Sequence, residues 1–86
     1  MMKNGMTEKR IRLKLRQARL KRVVMSPDGV PHIMKQAEAA REISAKYDVN
    51  LGPCYFGMIE RGEKTGSVKV MKAIAHYFGL DIRDIL

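Results

Sequence analysis

The sequence predicts an all-α domain of five helices, and three observations carry that prediction. Apolar residues recur at helical spacing in successive segments, as in Ile11, Leu15 and Ala18, or Ile33, Ala37 and Ala40. Gly62 and Gly79 follow such segments where a helix needs a left-handed stop, and Asp48 or Asn50 can serve the same purpose after Tyr47. Thr7, Ser67 and Asp81 stand where N-caps belong. With 86 residues, 45% of them apolar, the chain makes one domain, 1–86, with a modest core and no deep substrate cleft.

Residues 1–6 read as a flexible arm. Thr7 caps a first helix over about 7–22, with Glu8 at its positive end. Ile11, Leu15 and Ala18 form its apolar face, Leu13, Leu20 and Val24 widen it, and Arg12, Arg16 and Arg19 run beside it as a row of guanidinium groups. Residues 23–32 connect it to the next helix. Pro27 suits the second position of a type I turn and Gly29 the left-handed residue after it, so a small β-hairpin and an irregular loop fit equally. Pro31 lacks a donor, which limits a second arm to an edge, and it also suits the first residue of the next helix. Ile33, Ala37, Ala40, Ile43, Ser44 and Tyr47 carry that helix. Gly52 and Pro53 open a third, with Tyr55, Phe56 and Ile59 apolar. Ser67 caps a fourth, whose Val68, Met71, Ile74, Ala75 and Phe78 point inward, and Asp81 caps a short fifth.

Charge is one-sided. Residues 1–24 hold nine basic groups (Lys3, Lys9, Arg10, Arg12, Lys14, Arg16, Arg19, Lys21 and Arg22) against Glu8 alone, which accounts for the whole net charge of +8. Such a concentration points to a polyanion, nucleic acid above all. If six or more phosphates were neutralised, affinity would fall roughly 10³-fold or more between 50 and 200 mM salt. Cys54 is the only cysteine, so no internal disulfide forms and a reducing, cytoplasmic setting is expected. No segment resembles a signal peptide or supplies the roughly 20 apolar residues of a membrane span. His32 and His76 are isolated, Cys54 has no partner at ligand spacing, and no nucleophile with its base or Gly-rich phosphate loop occurs. Neither catalysis nor a metal or other cofactor is expected.

A helix-turn-helix needs a small residue where its helices cross, a turn residue tolerant of left-handed geometry, and apolar anchors on the second helix. Ser44, Asp48, Val49 as a plug, and Phe56 with Ile59 meet those needs. Ile59-Glu60-Arg61-Gly62 is then followed by an amphipathic helix closing on Gly79-Leu80 and by a capped last turn. This stretch resembles the second half of the lambda repressor and Cro-like, or XRE, helix-turn-helix family. The likeness runs without a gap over the 28 residues from Ile59 to Leu86. About two extra residues lie between Asn50 and Tyr55, and more than ten separate the first two helices. Where the family often opens helix 2 with glutamine, this chain has Ala40, with Arg41 beside it.

The resemblance implies a five-helix lambda-repressor-like domain and a sequence-specific regulator binding double-stranded DNA as a homodimer. Its recognition helix would span about 52–61 in the major groove. Asn50, Gly52, Pro53, Cys54, Tyr55 and Met58 would meet bases, with Gly57 beside Met58 on the exposed side of that helix. Arg12, Arg19, Arg41, Arg61, Lys64, Thr65, Gly66 and Ser67 would meet phosphates. Leu15-Arg16 resembles the family's first-helix pair and implies an Arg16–Glu60 ion pair. Phe78, Leu80, Ile82, Ile85 and Leu86 would build the dimer. An antitoxin-like or anti-repressor interaction module of the same fold, with a protein partner and secondary DNA binding, is the alternative. Structured RNA and an anionic membrane surface fit the charge but not the helix order.

Overall fold

A computed structural model of the chain describes residues 11–86; the expectations for the arm at 1–6 and for capping by Thr7 and Glu8 lie outside them. The described chain is mostly α-helical, with a two-stranded antiparallel hairpin between the first two helices. In order these are α1 (Leu13–Leu20), β1 (Val23–Met25), β2 (Pro31–Ile33), α2 (Gln36–Tyr47), α3 (Pro53–Glu60) and α4 (Val68–Phe78). A single 3₁₀ turn, Ile82–Asp84, stands where a fifth α-helix was expected; its first backbone donor is held by Asp81, whose side chain accepts from Arg83 N.

α1 begins later than its periodicity suggests, because Arg12 has a non-helical ψ of 84°. Leu15 is its one fully buried residue, while Ile11, Leu13 and Leu20 are exposed. Of the residues expected to widen that face, Leu13 and Leu20 stay outside the core, while Val24 packs partly buried against it. On either side of Leu15 the long arms of Arg12 and Arg19 reach inward instead.

The hairpin fulfils the turn chemistry of Pro27 and Gly29. Gly29 N donates to Ser26 O at 2.8 Å, Gly29 adopts φ 87°, and Ser26 N donates to Val30 O at 3.0 Å. Val23 pairs with Ile33, Val24 with His32 and Met25 with Pro31. At the base, Met34 N donates to Arg22 O at 2.9 Å. Hydrogen-bonded pairs alternate along an antiparallel ladder, so the Arg22–Met34 and Ser26–Val30 bonds leave Pro31 at a position whose nitrogen faces away from β1. Its missing donor costs the ladder nothing. Because Pro31 is thus engaged in a strand, α2 starts at Gln36 and not at Pro31. There the Glu38 carboxylate accepts from Lys35 N at 2.8 Å and holds the helix entrance.

Leu15, Met34, Ile43, Phe56, Ile59, Met71, Ile74 and Ile85 form the fully buried centre. Ser67 caps α4 by accepting from Val70 N, and Gly79 ends it with φ 67°. Val68 was expected inside but is exposed, being the first residue of α4 and beyond the rim of the core.

Candidate nucleic-acid interface

The pair α2–α3 is the most extensively packed helix pair in the structure. Its turn is set by two local devices. Asp48 takes the left-handed conformation, φ 53° and ψ 51°, as the one described non-glycine residue with positive φ. The Ser44 hydroxyl donates to Leu51 O at 2.9 Å and accepts from Leu51 N at 3.1 Å, fastening the far side of the turn back onto α2. Leu51 is buried and Val49 packs on the core. Gly52 then serves as N-cap in extended geometry and Pro53 as the first residue of α3, where it forfeits no intrahelical bond.

α3 presents two distinct sides. Phe56, Gly57, Ile59 and Glu60 face inward; Pro53, Cys54 and Arg61 are exposed, and Tyr55 and Met58 are half-buried. Cys54, Met58 and Arg61 follow at helical spacing, so they form one outward row. Gly57 belongs to the packed side, contrary to the sequence expectation. A Cβ there would stand 3.0 Å from Gln36 Oε1 and 3.1 Å from Arg61 Nη1. Arg41 lies exposed on α2, along a surface groove it shares with Ala37, Ser44, Leu51 and Pro53. Asn50 is exposed in the turn. Past the end of α3, Arg61 pairs with Glu63 at 2.8 Å, and Lys64 and Thr65 are exposed ahead of Gly66 and the N-terminus of α4. Among the described residues, Arg41 and Arg61 flank the outward row, and exposed Lys64 follows it in the chain.

Arg12 and Arg19, both expected on phosphates, are directed into the protein. Arg12 Nη1 donates to Ile59 O at 2.6 Å and to Lys64 O at 2.9 Å, and its Nη2 donates to Thr65 Oγ1 at 2.7 Å. Its Nε donates to Ile85 O, and its backbone N donates to Glu60 O at 2.9 Å. These acceptors include carbonyls that the end of α3 leaves without intrahelical partners, where a cation is also favoured by the helix dipole. Burial lowers the Arg12 pKa.

Arg19 grips Glu60 with both arms, Nε to Oε2 at 2.7 Å and Nη2 to Oε1 at 3.0 Å, while its Nη1 donates to Met34 O at 2.8 Å. The predicted partner, Arg16, stands at 4.0 Å from Glu60 and is the lesser contact. Gln36 Nε2 adds a bond to Glu60 Oε1 at 2.7 Å. Glu60 has no exposed surface. Burial pushes its carboxyl up, but bonds from Arg19 and Gln36 and the charges of Arg19 and Arg16 outweigh that and hold it below the ordinary carboxylate range. One carboxylate thus joins α1, α2 and α3.

Two further cations of the first segment are similarly engaged. Lys14 pairs with Asp84 at 3.0 Å, and Arg22 donates to Tyr77 O with its guanidinium 4.4 Å from the Tyr77 ring centre. Gln36 was missed by sequence reasoning because Lys35 is not an N-capping residue type, so nothing marked the helix start beside it. A hydrogen-bond chain was also missed: Ser26 Oγ to His32 Nδ1 at 2.8 Å, then His32 Nε2 to Glu38 Oε2 at 2.8 Å. It ties the hairpin turn to the entrance of α2.

The expected C-terminal dimer surface also changes. Ile85 is fully buried, and Phe78, Leu80 and Ile82 pack against the core; of that set only Leu86 is exposed. The 3₁₀ turn folds Ile85 back over the base of the domain. Among the described residues no group of three or more His, Cys, Asp or Glu could hold a metal ion, and no helix is long and apolar enough to cross a membrane. No family model matches the chain, and neither a curated protein nor a solved structure matches it.

Proposed function

We propose that this chain is a sequence-specific double-stranded DNA-binding regulator of the lambda repressor and Cro-like type, acting as a homodimer, with α3 in the major groove. The supporting observation is the α2–turn–α3 unit. Its turn is fixed by Asp48 and Ser44, and α3 buries one side while offering Cys54 and Arg61 to solvent, with Met58 half-buried between them. A helix entering the major groove needs that combination of a braced position and a free outer row. Asn50, Pro53, Cys54, Tyr55 and Met58 are the base-facing set, with Gly52 letting the backbone approach. Cys54 and Met58 suit thymine methyl groups, since neither offers the two-donor fork that reads guanine. Arg41, Arg61, Lys64, Thr65 and the amides of Gly66 and Ser67 hold phosphates.

The test is a footprint on DNA from the gene's own neighbourhood, repeated with Arg61→Ala and Lys64→Ala. Each change removes one phosphate contact from each of two copies, so it should weaken binding at every sequence and reduce the salt slope by about 2. Protection unaffected by both would overturn this docking. Glu63 draws on the same guanidinium as the phosphate would, so Glu63→Gln should tighten binding.

A further inference from the structure

The hairpin carries the largest concentration of exposed apolar side chains among the described residues. Val23, Met25 and Ile33 are 67%, 68% and 52% exposed, and Pro31 is exposed between them. The register explains why these four share a face: Val23 lies opposite Ile33, and Met25 lies opposite Pro31. The alternate pair, Val24 and His32, turns toward the protein and is half-buried. A two-stranded sheet with one such uncovered face is unlike an ordinary surface strand, whose outer residues alternate to polar.

We infer that this outer face is the contact by which two copies of the chain associate. The inference deepens the homodimer part of the reading above and rests on it. Two observations point to a second copy. None of the four side chains is charged, so this is a region where two chains of net charge +8 can approach with little direct repulsion. A two-fold contact must be self-complementary, and an apolar face packing on its own copy meets that condition without matched charges. The area sets the strength of the contact. The four side chains expose on the order of 400 Å² per copy, or about 800 Å² for two copies. That lies below the size of a permanent interface and suits a weak, reversible dimer. Of the other exposed apolar residues, Ile11, Leu13 and Leu86 line a cleft interrupted by Arg12, Lys14, Arg83 and Asp84. A copy docking there would have to desolvate those charges.

Sedimentation of the full chain without DNA, from about 1 to about 200 µM, reads the association directly. The wild type should pass from 9.8 kDa to twice that mass. Met25→Glu and Ile33→Glu should each weaken association at least tenfold while leaving the helical circular dichroism intact, since both side chains point away from the core. Leu86→Glu should leave association unchanged. In the wild type, amide exchange over residues 23–33 should slow as concentration rises, which needs no variant. A wild type that stays at 9.8 kDa, hairpin variants that associate as tightly as the wild type, or loss of association in Leu86→Glu would overturn the inference. Anisotropy on the footprinted duplex separates the two proposals. Association without DNA binding removes the DNA reading and leaves the hairpin contact standing; DNA binding by a wild-type monomer removes the homodimer part of that reading and this inference with it; a dimer as tight in Met25→Glu and Ile33→Glu as in the wild type removes this inference alone.

Discussion

Replacing Arg19 by alanine would leave the Glu60 carboxylate buried after losing both of its shortest charged contacts. In the wild type that carboxylate receives bonds at 2.7 and 3.0 Å from Arg19 and at 2.7 Å from Gln36, and it has no contact with solvent. Removing one partner of a buried ion pair costs about 3–5 kcal/mol, because the remaining charge keeps its desolvation penalty. The Gln36 bond persists and Arg16, a third exposed at 4.0 Å, can swing closer, so the lower end of about 3 kcal/mol applies. For a domain of this size each kcal/mol moves the midpoint by about 4–8 °C, giving a fall of about 12–24 °C. Arg16→Ala removes a longer, wetter contact and should cost about 0.5–1 kcal/mol. Thermal and urea unfolding followed by circular dichroism would rank the two. If Arg16→Ala cost as much as Arg19→Ala, or Arg19→Ala cost less than about 1 kcal/mol, the central role given to the Arg19–Glu60 pair would be refuted. The same pair fixes an acid limb. A carboxyl depressed below its ordinary 4.5 in the folded state contributes stability that is present above that value and is lost as pH falls through the folded pKa. Glu60→Gln should therefore flatten the loss of stability below pH 4.5 as well as lower the plateau.

Three further outcomes are expected. With Arg12 and Arg19 occupied internally, the proposed DNA reading has Arg41, Arg61 and Lys64 from each of two copies neutralising about six phosphates, so affinity should drop roughly 10³-fold between 50 and 200 mM salt; a drop below about tenfold would exclude that set. Gly66→Ala would bring a Cβ to 2.9 Å from Val70 Cγ1 and 3.3 Å from Ile59 Cδ1, and overpacking against these branched side chains should cost about 1–3 kcal/mol in urea unfolding. The Tyr77 phenol, buried and donating to Glu42, is pushed up to about 12, so phenolate absorbance should show a late step that Tyr77→Phe abolishes. Its stabilising contribution is present below pH 10 and lost as pH rises through about 12.

Much of the fold could be read from single residues whose conformational demands are local. Asp48, Gly52-Pro53, Ser67 and Gly79 each do in the structure what their chemistry requires of a turn, a helix start, a cap and a stop. The Pro27-Gly29 turn belongs with them, since its geometry is decided within four residues. The errors lie where distant groups decide. Periodicity could not tell whether Leu13 and Leu20 find a partner, and neither does, because Arg12 and Arg19 claim the space beside Leu15. The arginines illustrate the same limit from the other side. A run of cations looks identical in sequence whether it meets phosphates or the carbonyls at the end of α3, and only the fold brings Ile59, Lys64 and Ile85 within reach of Arg12. For the outward row of α3 the sequence placed Cys54 and Met58 well but mistook Gly57. Its role depends on how near Gln36 comes, and that distance is written in no local pattern.

The bond from Met34 N to Arg22 O closes the hairpin at its root, and the strands beyond it can be regarded as a cassette in a two-point socket. The docking of α1 against α2 and α3 is held by Glu60, which does not count the residues between Arg22 and Met34. Lengthening a loop between already fixed ends changes its closure free energy only slowly, by about 0.6 kcal/mol per doubling. Strands of other lengths and sequences could therefore be exchanged at this socket while the helix-turn-helix unit keeps its register. On the proposed reading, such a scaffold would let the choice of partner and the choice of DNA sequence vary independently.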